Sequence, residues 1–305
     1  MIDIYERLKS IVGDSRIFQK EYLKNYTTFR IGGPCNILVM PSTREEIIEI
    51  IRFLRETKTN YFVMGNGSNL LVSDSGFDGV IVSLKFFKGM ETLENTDDVY
   101  TIRVTSGELM SSVGNYLARM GATGFEFATG IPGTIGGGVR MNAGAYGGEL
   151  KDCLVCVTAI SPEGEVVSLS NEELKFGYRT SILANKDYVI LDATFKLGKS
   201  TTEEIKAKIN DFNTQRREKQ PTNFPSAGST FKRPEGYIAA KLIDEAGLKG
   251  LQVGGAMVSD KHAGFVVNVG NATASDVIEL TDKVRAVVKE KNGVDLELEV
   301  IKVGF

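Results

Sequence analysis

A glycine-rich stretch, Gly124 to Glu149, constrains the fold of this 305-residue chain more than any other segment. Glycine loses more backbone entropy on folding than any other residue, so a dense run of it indicates main chain that turns tightly or lies close to a partner. The stretch also carries apolar residues such as Ile131, Pro132 and Ile135, which a flexible linker would not need. We therefore interpret it as ordered backbone laid against a bound cofactor. Close packing of a loop on a sheet is the alternative.

A second glycine-rich loop, GNGSN at residues 65–69, follows an apolar strand. The N–H groups of such a loop converge on an anion, and its Ser and Asn side chains add donors. The loop is neither GxGxxG nor a glycine loop ending in GKS or GKT, so it is not a Rossmann fingerprint or a P-loop. An ordinary turn is the alternative. Together with GIPGTIGG at residues 130–137, it predicts two loops that hold one long ligand such as a dinucleotide.

The composition is that of an ordinary globular protein, with 42% hydrophobic and 25% charged residues. A net charge of −3 predicts no bulk attraction to nucleic acid or to an anionic membrane. The start of the chain, MIDIYERLKS, lacks the apolar core of a signal peptide, and no apolar run is long enough to span a bilayer. With three cysteines and no export signal, we expect a cytoplasmic protein, and the even spread of charge is compatible with a monomer.

Periodicity and capping patterns predict helices and strands throughout the chain. We expect helices over 2–12, from an N-cap at Ser42 or Thr43, and over 108–120, 202–217, 237–246 and 273–291. We expect strands near 36–40, 61–64, 80–84, 100–105, 188–196, 252–257, 264–268 and 296–303, and a hairpin formed by 153–160 and 164–169. The fold class is therefore α+β, with a strand-rich domain over 1–200 and a smaller α+β domain over 201–305.

Cys153 and Cys156 form a CxxC pair that suggests a metal or redox site. Residues three apart in a strand point to opposite faces, and no second Cys pair or His lies nearby to complete a zinc site. We interpret both as core cysteines and predict no metal site. His262 is the only histidine, which excludes a His-based catalytic triad and a site built from several histidines.

Three polar side chains are candidates for chemistry. Arg179 in FGYRTS lacks acidic neighbours and suits a ligand carboxylate, or alternatively is satisfied by backbone carbonyls. Ser229 in PSAGSTFKRP is flanked by small residues that expose its hydroxyl, or is a simple turn serine. Glu299 alternates with apolar residues in LELEVIKVG, where one of the acids Glu297 and Glu299 can be plain solvent-facing.

Taken in order, several segments resemble the UDP-N-acetylenolpyruvoylglucosamine reductase family over nearly the whole chain. They are RIGG, GNGSN, the glycine-rich stretch, FGYRTS, PSAGSTFKRP, GYIAAKLIDEAGLKG, KHAGFVVN and GVDLELEVIKVG. The resemblance implies an FAD-binding domain of the vanillyl-alcohol-oxidase (PCMH) type followed by a substrate-binding domain. It also implies NADPH-dependent, FAD-mediated reduction of the enolpyruvyl group of UDP-N-acetylglucosamine-enolpyruvate in peptidoglycan precursor synthesis.

The resemblance also implies residue roles. Arg179 and Glu299 would stabilise the negative charge that follows hydride addition, and Ser229 would donate the proton. The implied FAD-binding residues are Arg30, Gly65, Asn66, Gly67, Ser68, Asn69, Gly130, Ile131, Pro132, Gly133, Gly136, Asn142 and Ala143. The implied substrate-binding residues are Tyr178, Arg217, Lys219, Arg233 and His262. Because the first 200 residues contain no histidine, a histidyl bond to the flavin cannot form there, and we expect non-covalent FAD.

The chain departs from the family pattern at three places. Some members insert a tyrosine-bearing loop after the Arg motif, whereas FGYRTSILANKDYVI runs directly into the next strand, as in a shorter subtype. Arg233 stands where other members have Asn, and His262 where some have Gln. Uracil and diphosphate recognition are therefore left open. On the glycine loops alone, an alcohol or sugar oxidase and a flavin-free nucleotide-binding or scaffolding protein remain alternatives.

Overall fold

The computed structural model describes residues 3–305, which form two compact units. The first unit comprises the N-terminal segment up to Phe18 and residues 37–66 and 80–215; the second comprises residues 19–36, 67–79 and 216–305. This division differs from the single predicted boundary near residue 200. Residues 67–79 belong to the second unit because the strand Leu70–Val72 pairs in parallel with the C-terminal strand Ile301–Val303. Residues 19–36 are bonded to it through Thr28 and Phe29, whose partners are Ser226 and Asn268.

The helices are α1 (Ile4–Val12), α2 (Arg44–Glu56), α3 (Met110–Met120), α4 (Ile135–Arg140), α5 (Ile182–Asn185), α6 (Thr202–Lys219), α7 (Ala239–Glu245) and α8 (Ala274–Asn292). The helix predicted over 2–12 is α1, and Ile2 lies outside the described residues. Within residues 3–305, no helix has both the length and the apolar character that crossing a membrane requires.

The strands are β1 (Ile17–Gln19), β2 (Cys35–Val39), β3 (Tyr61–Met64), β4 (Leu70–Val72), β5 (Phe77–Ser83), β6 (Met90–Asn95), β7 (Val99–Thr105), β8 (Ala122–Thr123), β9 (Gly144–Ala145), β10 (Gly148–Glu149), β11 (Leu154–Ile160), β12 (Val166–Ser170), β13 (Val189–Lys199), β14 (Gln252–Val253), β15 (Ala256–Val258), β16 (Val266–Asn268) and β17 (Ile301–Val303). Those predicted near 36–40, 61–64, 80–84, 100–105 and 188–196 are present, as is the hairpin of β11 and β12.

Residue chemistry explains where the helices begin and end. Thr43 caps α2, accepting a hydrogen bond from the Glu46 N–H while the Glu46 carboxylate accepts one from the Thr43 N–H, a capping box that satisfies two helix N-terminal donors. Helix α3 ends at Gly121, whose φ of 77° is left-handed. Helix α8 repeats the capping box with Thr273 and Asp276.

The large sheet of the first unit has the order β12-β11-β13-β7-β6, with antiparallel pairing between neighbours, and β8 pairs with the end of β13. Side chains of α3 and α4 share a core with this sheet. In that core Phe125 meets Phe195 edge-to-face, with ring centroids 5.5 Å apart. A second sheet has the order β1-β2-β5-β3, in which β3 and β5 run parallel.

The second unit contains the antiparallel sheet β14-β15-β16 and the parallel pair β4 and β17. Its core gathers apolar residues of α7 and α8 with those of these strands. Three predictions fit only in part. The single strand predicted near 252–257 is two short antiparallel strands, β14 and β15. Helix α7 begins at Ala239 rather than at 237, and regular pairing of the last strand covers only Ile301–Val303. Residues 297–299 instead bond to residues 230–232, and this contact builds part of the candidate site.

Candidate active site

The two predicted glycine-rich loops touch in the first unit. The side-chain amide of Asn66 donates a 2.6 Å hydrogen bond to the carbonyl oxygen of Pro132. A Cβ on Gly65 would lie 2.3 Å from Oγ1 of Thr134, so a side chain at Gly65 would drive the loops apart. The two loops are therefore in contact, and their close approach leaves no room for a side chain at residue 65. Whether they hold one long ligand stays a prediction.

The main chain of the loop at residues 130–137 is held by neighbouring segments. Ile131 N–H donates to Ala128, and the Gly133 carbonyl oxygen accepts from Met110 N–H, both at 3.0 Å. Gly136 N–H donates to the Ser106 carbonyl oxygen at 2.9 Å, and a Cβ on Gly136 would lie 2.8 Å from Cβ of Ser106. These hydrogen bonds fix the backbone of the loop, and the contact with Ser106 leaves no room for a side chain at residue 136.

Asn142, a predicted cofactor residue, has its side chain bonded within the protein. It is fully buried in a left-handed conformation, with φ of 45°. Its side-chain nitrogen donates to Glu149 Oε2 at 3.1 Å and to the Gly177 carbonyl oxygen at 3.2 Å, and its side-chain oxygen accepts from Lys151 N–H at 3.1 Å. Both amide hydrogens and the carbonyl are thus engaged by the chain itself, and Asn142 links three segments.

Arg179 lies in a tight turn. Gly177 N–H donates to the Thr180 carbonyl oxygen at 3.0 Å, and the reverse bond is 3.4 Å. Arg179 has φ of 54°, a left-handed conformation that costs a non-glycine residue about 1–2 kcal/mol. Its Nη2 donates to the Gly144 carbonyl oxygen at 3.0 Å, and its guanidinium lies 5.2 Å from the ring centre of Tyr178. A residue held in a strained conformation by defined contacts is a candidate functional residue.

The segments that carry Ser229 and Glu299, which are distant in sequence, pair with each other in the second unit. Thr230 N–H donates to the Gly264 carbonyl oxygen at 2.8 Å, and Glu299 N–H donates to the Thr230 carbonyl oxygen at 2.9 Å. The hydroxyl of Thr230 is buried and accepts from Val266 N–H at 2.8 Å. Ser229, directly before this anchored residue, is half-buried. Its segment therefore lies extended between two others and is more than a simple turn.

Glu297 and Glu299, the two acids near the C-terminus, differ in their exposure to solvent. Glu297 is exposed and forms an ion pair with Lys232 at 3.1 Å, whereas Glu299 is half-buried. The side-chain amide of Asn69 donates to the Glu299 carbonyl oxygen at 3.0 Å, and Ile301 N–H donates to the Asn69 carbonyl oxygen at 2.9 Å. A predicted cofactor residue is thus bonded to the backbone of a predicted catalytic residue.

The other predicted residues vary in their support. Gly67 has φ of 59° and a Cβ there would lie 2.4 Å from the Tyr26 carbonyl oxygen, so its backbone needs glycine. Half-buried positions are Ser68, Gly130 and Ala143, and exposed positions are Tyr178, Arg30, Arg217, Lys219 and Arg233. The exposed cations can reach an anionic ligand, and their geometry alone assigns them no ligand.

His262 is half-buried and lies close to Gly264, whose carbonyl oxygen accepts the hydrogen bond from Thr230 N–H. Its Nδ1 accepts a 3.1 Å hydrogen bond from Gly264 N–H, and its ring meets Phe265 edge-to-face at 5.0 Å. Burial lowers the pKa of His262, and nearby Lys249 lowers it further, while Asp244 opposes this. The neutral ring with the proton on Nε2 is the form that these contacts favour.

The cysteines of the CxxC pair are not equivalent. Cys153 is buried, and burial raises its pKa to about 12, whereas Cys156 is half-buried. An inert core thiol at Cys153 agrees with its interpretation as a core residue. Within residues 3–305, no group of three or more His, Cys, Asp or Glu side chains is arranged to hold a metal ion.

A carboxylate that the sequence analysis did not single out, Glu149, belongs to the Asn142 network. Besides Asn142 it binds Lys151, with Nζ 2.6 Å from Oε2. The bond from Lys151 holds the pKa of Glu149 below its usual range; burial opposes this, and Asn142 and Arg179 add to it. No sequence signal indicated this residue, because the Gly-Gly pair before it is typical of a loop, whereas Glu149 lies in strand β10.

Comparison with known proteins gives two family models that match this chain. The model described as FAD binding domain matches residues 35–170, and the model described as UDP-N-acetylenolpyruvoylglucosamine reductase, C-terminal domain, matches residues 220–303. UDP-N-acetylenolpyruvoylglucosamine reductase of Caldanaerobacter subterraneus subsp. tengcongensis is 46% identical over 99% of this chain and 98% of its own length. The chain belongs to the UDP-N-acetylenolpyruvoylglucosamine reductase family.

Other members of this family support the assignment. The reductase of Lachnoclostridium phytofermentans is 47% identical over 99% of this chain and 97% of its own length. The crystal structure of UDP-N-acetylenolpyruvylglucosamine reductase from Thermus caldophilus has a TM-score of 0.80 at 38% identity, covering 94% of this chain and 99% of that one. The resemblance, the α+β fold with an FAD-binding domain, and the oxidoreductase class are confirmed. The oxidase and scaffold alternatives are set aside.

Proposed function

We propose that this chain reduces the enolpyruvyl group of UDP-N-acetylglucosamine-enolpyruvate to give UDP-N-acetylmuramate, with NADPH as the hydride donor and FAD as a non-covalent cofactor. Family membership supports the reaction. The observation that supports the residue assignment is the bond from Glu299 N–H to the Thr230 carbonyl oxygen at 2.9 Å, because it pairs the segments that carry Ser229 and Glu299. We assign proton delivery to the hydroxyl group on one of these segments and charge stabilisation to the carboxyl group on the other.

The glycine-rich loops fit a bound FAD. Gly65 packs against Thr134, and Gly136 packs against Ser106, too closely for a Cβ, so both loops are held tightly against neighbouring segments. Ser106 Oγ and Thr129 Oγ1 are also buried without a hydrogen-bond partner among residues 3–305. We assign FAD binding to Arg30, Gly65, Asn66, Gly67, Ser68, Asn69, Gly130, Ile131, Pro132, Gly133, Gly136, Asn142 and Ala143. When bound, FAD accepts a hydride from NADPH and supplies one to the carbon–carbon double bond of the enolpyruvyl group.

Arg179 and Glu299 stabilise the charge that this addition creates. Hydride addition to the vinyl ether leaves negative charge shared between the neighbouring carbon and the substrate carboxylate. Arg179 carries a permanent positive charge and a planar set of donors that suits a carboxylate. A donor set fixed in advance by the strained turn is worth more than a mobile one, because little reorganisation is needed when the charge develops. Glu299 supplies the second polar group from the segment that pairs with that of Ser229, and its carboxyl group stabilises negative charge only in its protonated form, as a hydrogen-bond donor, or when paired with Arg179.

Ser229 donates the proton that completes the product. The carbon that carries the negative charge takes up the hydroxyl proton of Ser229, and the serine regains a proton from solvent. A serine hydroxyl is a weak acid, so it serves as a donor only to a strongly basic carbon. The anchored backbone of Thr230 holds Ser229 in place for this transfer.

The remaining assignments concern binding. We assign the uridine diphosphate portion to Tyr178, Arg217, Lys219, Arg233 and His262, supported by the exposure of the aromatic ring and of the cationic side chains. Cationic side chains at a surface suit the diphosphate. We further propose that the protein acts in the cytoplasm as a monomer; light scattering on the purified protein measures the mass, and a value of twice 33.3 kDa would contradict the monomer.

The test of the reaction is an absorbance experiment. The purified protein should be yellow, and acid precipitation should release all of its flavin into the supernatant. Under anaerobic conditions NADPH should bleach the flavin, and the enolpyruvyl sugar nucleotide should restore its colour with formation of UDP-N-acetylmuramate. A colourless protein that takes up no FAD, or a reduced flavin that the sugar nucleotide leaves bleached, would contradict the proposal.

A further inference from the structure

A short hairpin lies beside Arg179 in the first unit. Strands β9 and β10 pair so that Glu149 lies opposite Gly144. The two turn residues, Tyr146 and Gly147, have φ of 53° and 86°, as a two-residue turn with both central residues left-handed requires. The Tyr146 ring stacks on Phe212, with centroids 4.6 Å apart and planes 5° from parallel. This stacking fixes the tip of the hairpin, which makes the hairpin a rigid support.

The base of the hairpin contacts both Arg179 and Glu149. Arg179 Nη2 donates to the Gly144 carbonyl oxygen at 3.0 Å. The Glu149 side chain lies across the same glycine, because a Cβ on Gly144 would be 2.8 Å from Cγ of Glu149. Asn142 closes the network by donating to Glu149 Oε2 at 3.1 Å and to the carbonyl oxygen of Gly177, in the turn of Arg179, at 3.2 Å.

We propose that Glu149 is a positioning residue for the reduction of the substrate: its carboxylate, acting through Asn142 and the hairpin, fixes the direction of the Arg179 guanidinium. This inference rests on the role proposed for Arg179. Lys151 Nζ also lies 2.6 Å from Glu149 Oε2, so the carboxylate is held by two donors, Lys151 and Asn142. The same ion pair holds the pKa of Glu149 below its usual range, with Asn142 and Arg179 adding to the effect against burial, so the group is ionised near neutral pH.

The inference separates the two halves of the catalytic cycle. Reduction of the flavin by NADPH does not involve the enolpyruvyl carboxylate, so it does not depend on where Arg179 points. Reoxidation by the enolpyruvyl substrate does depend on it. Glu149→Gln should therefore slow reoxidation about 10- to 100-fold at saturating substrate, the effect expected for a misdirected catalytic group. Reduction by NADPH should stay within about twofold of the wild-type rate.

A double-mutant cycle measured by anaerobic stopped-flow absorbance tests the coupling. The proteins are wild type, Glu149→Gln, Arg179→Ala and the double variant, with Glu172→Gln as an exposed-acid control. If Glu149 acts through Arg179, Glu149→Gln slows reoxidation in the wild-type background and adds no further slowing to Arg179→Ala. If the double variant instead reoxidises more slowly than Arg179→Ala by the full factor seen for Glu149→Gln alone, the inference is overturned and Glu149 has a separate structural effect.

Two further outcomes distinguish this inference from the proposed function. Slow reoxidation in Arg179→Ala with a wild-type rate in Glu149→Gln overturns the positioning role alone. A wild-type rate in Arg179→Ala overturns both. Bound-flavin absorbance and the urea midpoint check that each variant is folded. If Glu149→Gln loses flavin, Glu149→Asp takes its place in the same cycle, because it keeps the charge and shortens the reach by one methylene; the same outcomes then decide.

Discussion

The side-chain amide of Asn66 and the carbonyl oxygen of Pro132 are joined by a 2.6 Å hydrogen bond across 66 residues of sequence. The bond links the two glycine-rich loops directly. This contact places the two loops side by side, as the proposal that they hold one cofactor together requires. The family model for an FAD-binding domain covers both loops.

Adjacent glycines in α4 provide a test of this close packing. We predict that Gly136→Ala destabilises the protein by about 1–3 kcal/mol and weakens FAD binding, because the new Cβ would lie 2.8 Å from Cβ of the buried Ser106. Urea denaturation gives the free energy of unfolding, and quenching of free-flavin fluorescence gives the affinity.

Gly137→Ala is the matched control. Gly137 is exposed, and a Cβ there would lie 3.6 Å from Oγ1 of Thr134, an ordinary contact. Alanine favours the helix by about 1 kcal/mol over glycine, so this variant should be as stable as wild type or more stable. Equal losses of stability in the two variants would show that the packing against Ser106 does not matter.

The two acids near the C-terminus provide a second matched pair. We predict that Glu299→Gln lowers the rate of substrate reduction by about 100-fold or more, because it replaces the carboxyl group to which we assign charge stabilisation. The hydrogen bonds of Glu299 to Thr230 and Asn69 use its backbone and should survive the substitution. Glu297→Gln should stay within about twofold of wild type, since this acid is exposed and its ion pair with Lys232 contributes little. Steady-state assays with NADPH decide, and similar rates for both variants would refute the assignment of Glu299.

The single histidine provides a pH test. Burial lowers the pKa of His262 below its ordinary value of 6.5, so the unfolded chain binds a proton at a higher pH than the folded protein does. The stability that the neutral ring contributes is complete above about pH 6.5 and is lost as the pH falls through the folded-state pKa. Relative to His262→Gln, the wild type should therefore lose stability between about pH 7 and about pH 5.

Urea unfolding of both proteins at several pH values measures this difference, and the imidazole proton signals give the pKa of His262 directly. Because the chain has one histidine, the signals need no assignment. A pKa at or above 6.5, or a stability difference that stays constant with pH, would contradict the expectation.

Local features of the structure could be predicted from the sequence where neighbouring residues determine them. The Pro-Ser-Thr sequence followed by two acids indicated the start of α2, and Thr43 forms a capping box with Glu46. Gly121 ends α3 in a left-handed conformation, as expected for a helix C-cap. The hairpin of β11 and β12 has the predicted antiparallel pairing. These elements follow from helix capping, turn preference and apolar periodicity.

Features that depend on distant pairing could not be predicted in this way. Residues 19–36 and 67–79 belong to the second unit through contacts with segments more than a hundred residues away, which no local pattern reveals. Residues 297–299 were predicted as part of a longer strand, but they bond to residues 230–232. Glu149 was missed because a Tyr-Gly turn between Gly-Ala and Gly-Glu lacks the Asn-Gly or Asp-Gly signal of a two-residue hairpin.

The central claim, that Ser229 delivers the proton, is tested most directly by anaerobic stopped-flow measurement of Ser229→Ala. The account predicts that NADPH reduces the flavin of this variant at the wild-type rate and that reoxidation by the enolpyruvyl sugar nucleotide falls by about 100- to 10,000-fold. Ser226→Ala, in the same loop, should reoxidise within about twofold of wild type. Reoxidation of Ser229→Ala at the wild-type rate would contradict the claim.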